Sequence, residues 1–341
     1  MKKPNVAILG ATGAVGQEFL TLIEERKFPF SSLKLLASKR SAGKKIKFMG
    51  KTYTIEEAKP SAFEGLDLVL SSAGGSVSLE LVPHAVKAGA LVVDNTSAFR
   101  MDSEVPLVIP EINPEDIKKH KGVIANPNCS AIIMLMAIAP LHKKNRIQRV
   151  LCATYQAVSG AGAKAMEELE KQTQEFLAKK PLTKEVFPHQ IAFNLFSHNA
   201  AIERDGYNSE ELKMIQESHK ILHDNSIKIV TTCVRVPVLR AHTEVLYLEF
   251  EKPMKPEEAR EILSRSPGLR LQDDEKTNHF PMPIEATGRE EVLVGRIRKD
   301  LSSENGLALM VSGDQLWKGA ALNAVQIAEV ALGLQKTENR G

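Results

Sequence analysis

The chain has 341 residues, 43% of them hydrophobic and 26% charged, with a formal net charge of +3. That length suits roughly two domains, and the composition is that of a folded globular protein, not a disordered or fibrous one. The small charge argues against nucleic acid or a membrane surface as partner, while a local basic pocket for phosphates stays compatible with it. No stretch reaches the ~18 apolar residues that a membrane span needs. Three cysteines (Cys129, Cys152, Cys233), odd in number and without a Cys-x-x-Cys pair, speak against a disulfide framework or a metal site and fit a reducing, cytoplasmic setting. Met1-Lys2-Lys3 faintly resembles the start of a signal peptide, but the apolar run at 6–9 is too short and ends in glycine.

In chain order, 6–9 reads as a buried strand, 13–25 as the helix after it, and 33–37 as a second strand. Strands at 66–70 and 91–94 follow, with a helix at 78–88 between them. Short, continuously apolar strands separated by helices predict an α/β domain, a parallel sheet covered on both faces. From Arg149 the strands lengthen and alternate, at 150–158, 227–236, 244–251 and 291–299. That texture predicts a largely antiparallel sheet in an α+β second domain, interrupted by helices near 162–178 and 209–222. A last helix, about 315–332, has its apolar residues at helical spacing, and the polar tail after Gln335 is expected to fray. The predicted division is 1–128, completed by the C-terminal segment 314–341, and 129–313.

Gly10-Ala-Thr-Gly13-Ala-Val-Gly16 has the spacing G-x-x-G-x-x-G between the first strand and the first helix. Small residues there let backbone approach a pyrophosphate, whose charge is met by the free N–H groups of the helix N-terminus. A tight turn without ligand would use the same glycines; the strand before and the helix after favour a dinucleotide. Past the second strand the chain reads Ala37-Ser-Lys-Arg40-Ser41-Ala-Gly43-Lys44-Lys45, without the acid that would hold a ribose 2′-OH. A guanidinium with hydroxyls suits a 2′-phosphate, hence NADP, against the plainer reading of a solvated basic loop.

Asn126-Pro-Asn-Cys129-Ser130 delivers a cysteine to the start of a helix that is apolar all round, and Pro140 is expected to end that helix. A helix N-terminus stabilises a thiolate and offers donors to an oxyanion. Cys152 and Cys233 lie in strand patterns and read as small buried hydrophobes. Glu210 and Lys213, three apart on a predicted helix that Asn208 and Glu211 would cap, read as a surface ion pair.

The glycine loop, Ser38-Lys-Arg-Ser-Ala-Gly43, Asn95-Thr-Ser-Ala-Phe-Arg100, Asn126-Pro-Asn-Cys-Ser130, Gln156-Ala-Val-Ser-Gly-Ala-Gly162, Arg235 with His242, and Gly313-Asp-Gln-Leu-Trp-Lys-Gly-Ala320 together resemble the bacterial aspartate-semialdehyde dehydrogenases, from about residue 4 to 333. The resemblance implies a Rossmann-type NADP domain and a catalytic and dimerisation domain. It implies the reduction of β-aspartyl phosphate by NADPH to aspartate semialdehyde and phosphate, in the biosynthesis of lysine, threonine, methionine and diaminopimelate. It assigns Cys129 as nucleophile forming a thioester, His242 as acid/base and Gln156 as the residue orienting the intermediate. Arg235 would clamp the substrate carboxylate, Glu210 would meet its ammonium, and Lys213, Arg100 and Asn128 would surround the phosphate. Gly10, Thr12, Gly13, Ala14, Val15, Ser38, Arg40, Ser41, Ser159, Gly160 and Gln315 match cofactor positions. A homodimer or dimer-based tetramer is implied. The alternatives are N-acetyl-glutamyl-phosphate reductase, whose cysteine motif resembles Asn-Pro-Gly-Cys-Tyr, and a non-catalytic paralogue, which would be expected to have lost a motif.

Overall fold

A computed structural model describes residues 3–334. The polar tail after Gln335 and the first two residues of the signal-like start lie outside them. The chain forms two compact units, the described parts of Met1–Pro127 with Ala320–Gly341, and Asn128–Gly319.

The first unit is built on β1 (Asn5–Leu9), α1 (Ala14–Glu25), β2 (Ser32–Ala37), β3 (Lys45–Phe48), β4 (Lys51–Glu57), β5 (Leu68–Ser71), α2 (Gly75–Lys87), β6 (Leu91–Asp94) and β7 (Val123–Ala125). Its sheet has the order β3-β4-β2-β1-β5-β6-β7, parallel throughout except for the β3–β4 hairpin. β1 and β5 at its centre bury Val6 to Leu9 and Leu68 to Ser71, which is why those strands are apolar on both faces. On one face Leu81, Val82 and Ala85 of α2 close over Ala7, Leu9, Val69 and Val92. The chain returns to this unit at its end as α8 (Leu322–Ala331). The guanidinium of Arg26, the C-cap of α1, grips both carboxylate oxygens of Glu329 at 2.9 and 2.7 Å, and the Asn323 amide donates to Val108 O and Asn126 Oδ1.

The second unit holds α3 (Cys129–Lys144), β8 (Ile147–Gln156), α4 (Ala163–Leu177), β9 (Phe196–Ser197), α5 (Ser209–Leu222), β10 (Lys228–Arg235), β11 (His242–Phe250), α6 (Pro256–Ser264), β12 (Leu269–Leu271), α7 (Pro283–Ala286), β13 (Val292–Lys299) and β14 (Gly306–Gly313). Its sheet runs β12-β13-β14-β11-β8-β10-β9, antiparallel but for the β8–β10 and β12–β13 pairs. Helix α3 packs on β8, β11, β13 and β14 with α5 and α6 beside it, which explains a helix apolar on every side. It does not stop at Pro140 as the sequence predicts but continues to Lys144. Proline's fixed φ is helical, and the surrounding core offsets one lost backbone bond. The expected 315–332 helix is also divided: a π-turn, Trp317–Ala321, precedes α8, started by Asp314, whose Oδ1 accepts from Leu316 and Trp317 N–H.

Candidate active site

In the first unit the β1–α1 loop is shaped by its glycines in different ways. Gly10 has φ +93°, and a Cβ on it would stand 2.5 Å from Ser72 O. A Cβ on Gly16 would stand 2.2 Å from Gly10 O, so helix and loop touch backbone to backbone. Gly13 is exposed, and its Cβ would meet only Gly10 O at 3.3 Å. It caps α1 with no side-chain bond, so the first turn at Ala14 and Val15 offers N–H groups beside the exposed Thr12 and Gly13. This cradle fits a pyrophosphate. Beyond β2, Ser38, Lys39 and Arg40 are exposed, and Ser41 is buried with its N–H donating to Ser38 O at 2.8 Å. Arg100 is buried, its Nε donating to Asn126 O at 2.9 Å and its Nη2 to Asn95 O at 2.7 Å.

In the second unit Cys129 opens α3, half-buried. Asn128 caps the helix, its Oδ1 accepting from Ser130 and Ala131 N–H at 3.0 and 3.2 Å. Its Nδ2 donates to Glu210 Oε1 at 2.8 Å, and its backbone N–H to Glu217 Oε2 at 2.6 Å. The nucleophile's turn is thereby tied to α5, which projects Glu210 and Glu217, seven apart, from one face. Strand pairing does the rest. Arg235 of β10 is the register partner of Gln156 of β8, and His242 stands at the corresponding end of β11.

The groups in this row are bonded specifically. His242 Nδ1 accepts from Ala157 N–H at 3.0 Å, which leaves the neutral ring its proton on Nε2. Gln156 Nε2 donates to Ser130 Oγ at 2.7 Å and to Glu210 Oε1 at 3.2 Å, while Gln156 Oε1 is buried without a partner. Arg235 donates through Nη1 to Ala157 O and through Nη2 to His198 Nε2, at 2.6 and 2.7 Å. One contact on each Nη leaves a second N–H on each. Gly160 closes the row: a Cβ there would be 3.2 Å from Arg235 Nη1 and 3.3 Å from His242 Nε2. Gln315 donates to Ser159 Oγ, and its Oε1 accepts from the N–H of Ala241, whose φ is a strained +70°.

Electrostatics separate two carboxylates. Burial alone would raise Glu210, but His198, Lys213 and the hydrogen bonds from Asn128 and Gln156 overcome it and hold Glu210 at about 2. It is ionised, and with only 7% exposure it is not the surface partner the sequence suggests, although the pair with Lys213 exists at 3.5 Å. Glu244, two residues beyond His242, is driven well above the usual carboxylate range by desolvation. Burial likewise lowers His242 well below its ordinary 6.5, with Arg235 adding to the effect, and takes His198 to about 4. Arg235 is lowered by burial and raised by Cys129 and Glu210, which places those three in one electrostatic cluster. Cys152 and Cys233 are buried and their thiols pushed up by desolvation, as expected of inert core cysteines.

The residues brought together in the second unit are therefore Cys129, Asn128, Gln156, Gly160, Glu210, Lys213, Arg235 and His242, with Ser159 and Gln315 bonded to each other nearby. Gly10, Thr12, Gly13, Ala14, Val15, Ser38, Arg40, Ser41 and Arg100 belong to the first. Sequence reasoning missed His198, Glu217 and Glu244. A two-residue β9 pairing Phe196 with Arg235 carries no periodic signal for His198. The alternation of β11 did place Glu244 on the face of His242.

Residues 5–120 match the family profile described as semialdehyde dehydrogenase, NAD binding domain, and residues 138–318 the profile described as semialdehyde dehydrogenase, dimerisation domain. The chain is 55% identical to the aspartate-semialdehyde dehydrogenase of a Synechocystis species, over 95% of this chain and 96% of that protein. Its structure is similar to that of aspartate semialdehyde dehydrogenase II from Vibrio cholerae complexed with ASA, with a TM-score of 0.95, 42% identity, and coverage of 98% and 99% of the two chains. The aspartate semialdehyde dehydrogenase with NADP from Candida albicans is similar at a TM-score of 0.75 and 26% identity, over 96% and 98%.

Proposed function

The chain belongs to the aspartate-semialdehyde dehydrogenase family, and we propose that it reduces β-aspartyl phosphate to aspartate semialdehyde and phosphate with NADPH, through a thioester on Cys129. It is an oxidoreductase of amino-acid biosynthesis acting on an aldehyde, with a nicotinamide-dinucleotide-binding domain.

The observation that carries the substrate is the pair of opposite charges flanking the row. A buried, ionised carboxylate (Glu210) and a buried guanidinium (Arg235) both stand at Gln156. That pair suits a free α-amino acid, ammonium toward Glu210 and carboxylate toward the remaining N–H groups of Arg235. An N-acetylated substrate has no ammonium and would offer Glu210 a neutral amide N–H in place of a charged donor, a weaker partner for a buried carboxylate.

Cys129 attacks the acyl carbon and phosphate departs, with Asn128, Lys213 and Arg100 assigned to its charge. A reduced nicotinamide cofactor held at the β1–α1 loop would supply the hydride that the thioester accepts. The Nε2–H of neutral His242 hydrogen-bonds the oxygen that gains charge; a proton taken up there from solvent to give the thiohemiacetal is lost again as the C–S bond breaks, Cys129 leaves as thiolate and the aldehyde is released. Gln156 holds the intermediate through its unpartnered Oε1. The cofactor is read as NADP because 37–45 contains no acid while Ser38 and Arg40 lie exposed at the end of β2; Ser159, Gly160 and Gln315 are assigned to the nicotinamide end. The outer face of the second sheet exposes Leu151, Tyr155 and Tyr247, apolar side chains suited to contact with a second copy of the chain, and we assign a homodimer to it. A cytoplasmic location is consistent with the absence, among the described residues, of any helix long and apolar enough to cross a membrane.

The test is a substrate panel with phosphate and NADP. Turnover of aspartate semialdehyde and none of N-acetylglutamate semialdehyde is expected. The reverse preference, or turnover of neither, overturns the reading.

A further inference from the structure

Glu244 is a fully buried carboxyl group on the inward face of β11, one row behind the row of His242, Gln156 and Arg235. Its cross-strand partner is Thr154, whose own partner on β10 is Cys233, and the next row back is Leu246 and Cys152. Neither carboxyl oxygen has a hydrogen-bond partner of good geometry, and the Ser130 hydroxyl is the one group that favours its charge by hydrogen bonding. A leucine would fit such surroundings at lower cost to the fold, since replacing buried polar groups by apolar ones of similar volume is often neutral or stabilising. The carboxyl group therefore calls for a reason other than packing.

Ser130 supplies one. Its Oγ already accepts from Gln156 Nε2 at 2.7 Å, so its own proton needs an acceptor, and it is buried where water offers none. Given to Glu244, that proton completes a directed chain, Gln156 N–H to Ser130 Oγ and Ser130 O–H to a Glu244 oxygen. A chain with a fixed direction distinguishes the two ends of the Gln156 amide, which otherwise differ little in shape. With Nε2 committed to Ser130 and Glu210, Oε1 is the end left without a partner.

We propose that Glu244 is a positioning residue for the reaction: acting through the Ser130 hydroxyl, it locks the Gln156 amide so that Oε1 receives the hydroxyl of the cysteine-bound thiohemiacetal. Reversal of the amide would present N–H groups to that hydroxyl and turn Oε1 toward the Glu210 carboxylate, an acceptor against an acceptor. The carboxyl group touches no substrate atom. It acts through one intervening side chain. This rests on the roles given above to Cys129 and Gln156.

The test is a double-mutant cycle on kcat and KM with aspartate semialdehyde, phosphate and NADP, alongside thermal unfolding of each variant. Glu244→Leu should fold with a Tm no lower than native and lose kcat by about 10-fold at little-changed KM, the consequence of a misplaced orienting group. Glu244→Gln, whose carbonyl can still accept from Ser130, should stay within about 3-fold of native kcat. Ser130→Ala should lose about as much as Glu244→Leu, and the double variant no more than either, because both break one chain. A folded Glu244→Leu with native kcat, or losses that multiply, overturns the proposal. If Glu244→Leu does not fold, Ser130→Ala decides: a native kcat overturns the proposal, and a 10-fold loss that Glu244→Gln does not deepen supports it. A native enzyme inactive on aspartate semialdehyde defeats both this proposal and the functional reading, whereas an active native enzyme beside an equally active Glu244→Leu defeats this proposal alone.

Discussion

Gly319 lies so close to Cys129 that a Cβ built on it would stand 2.9 Å from the cysteine Cβ and 3.3 Å from its Cα. The π-turn Trp317–Ala321 is thus a wall of the nucleophile's position as well as the start of the last helix. A methyl group at 319 would meet Cys129 Cβ and Cα and, at 3.4 Å, Gln315 Cβ, and the closest of these, the cysteine, must move. Gly319→Ala is expected to lower kcat by about 10-fold or more, since displacement by ~1 Å is enough for such losses. Stopped-flow kinetics on a variant whose folding is confirmed by circular dichroism checks this, and a native kcat refutes it.

The glycines of the first loop should separate by role. Gly16→Ala places a methyl 2.2 Å from Gly10 O and should destabilise by ~1–3 kcal/mol or more, as overpacking against rigid backbone does. Gly13→Ala meets only Gly10 O at 3.3 Å and should fold almost normally, yet weaken dinucleotide binding by roughly 10-fold, or ~1.4 kcal/mol. Chemical denaturation and fluorescence titration distinguish the two. Equal stability losses would show that both glycines serve packing alone.

Cofactor choice should follow Arg40. Because that side chain is exposed, the contact with a 2′-phosphate belongs at the low end for a charge-assisted bond, ~1.5 kcal/mol. Arg40→Ala is expected to raise the KM for NADP by about 10-fold with little change for NAD. Native kcat/KM values equal for NADP and NAD contradict the assignment.

Stability should depend on pH through His198. Unfolded, this residue takes up a proton below its ordinary 6.5; folded, it waits until about 4, because burial and Arg235 oppose the charge. Between these values the unfolded chain binds more protons, so the contribution is complete above pH 6.5 and lost as pH falls toward 4. Glu210, held at about 2 against an ordinary 4.5, extends the loss to lower pH in the same direction. Glu244 opposes them, since its raised value makes folding take up a proton and lets stability fall as pH rises above 4.5. Comparison with a variant isolates one residue. Urea titrations of native protein and His198→Gln should show the stability difference moving against the native protein by up to ~3 kcal/mol between pH 7 and 4. A difference independent of pH contradicts the shift.

Much of the fold could be read because buried parallel strands are short unbroken apolar runs, as at β1, β5 and β6, and because β8, β10, β11 and β13 alternate. Strand β14, Gly-Leu-Ala-Leu-Met-Val-Ser-Gly, escaped because it is buried on both faces between β11 and β13 and so does not alternate. The β3–β4 hairpin was overlooked although Met49-Gly50, both at positive φ, is a turn of the kind hairpins favour. At the site, Cys129, His242 and Arg235 were found from motif and family resemblance. His198 reaches Arg235 through a loop, which no periodicity encodes. Glu244 was legible in principle: two residues from His242 on an alternating strand, a carboxylate on the buried face is itself a signal.

The central claim is covalent catalysis by Cys129. Native enzyme mixed with aspartate semialdehyde and NADP in the absence of phosphate should release one burst of NADPH, because the thioester forms and has no acceptor. Quenching in acid and mapping by mass spectrometry should then place an aspartyl adduct on the peptide carrying Cys129. An adduct on Cys152 or Cys233, or a burst without any cysteine adduct, would contradict the account.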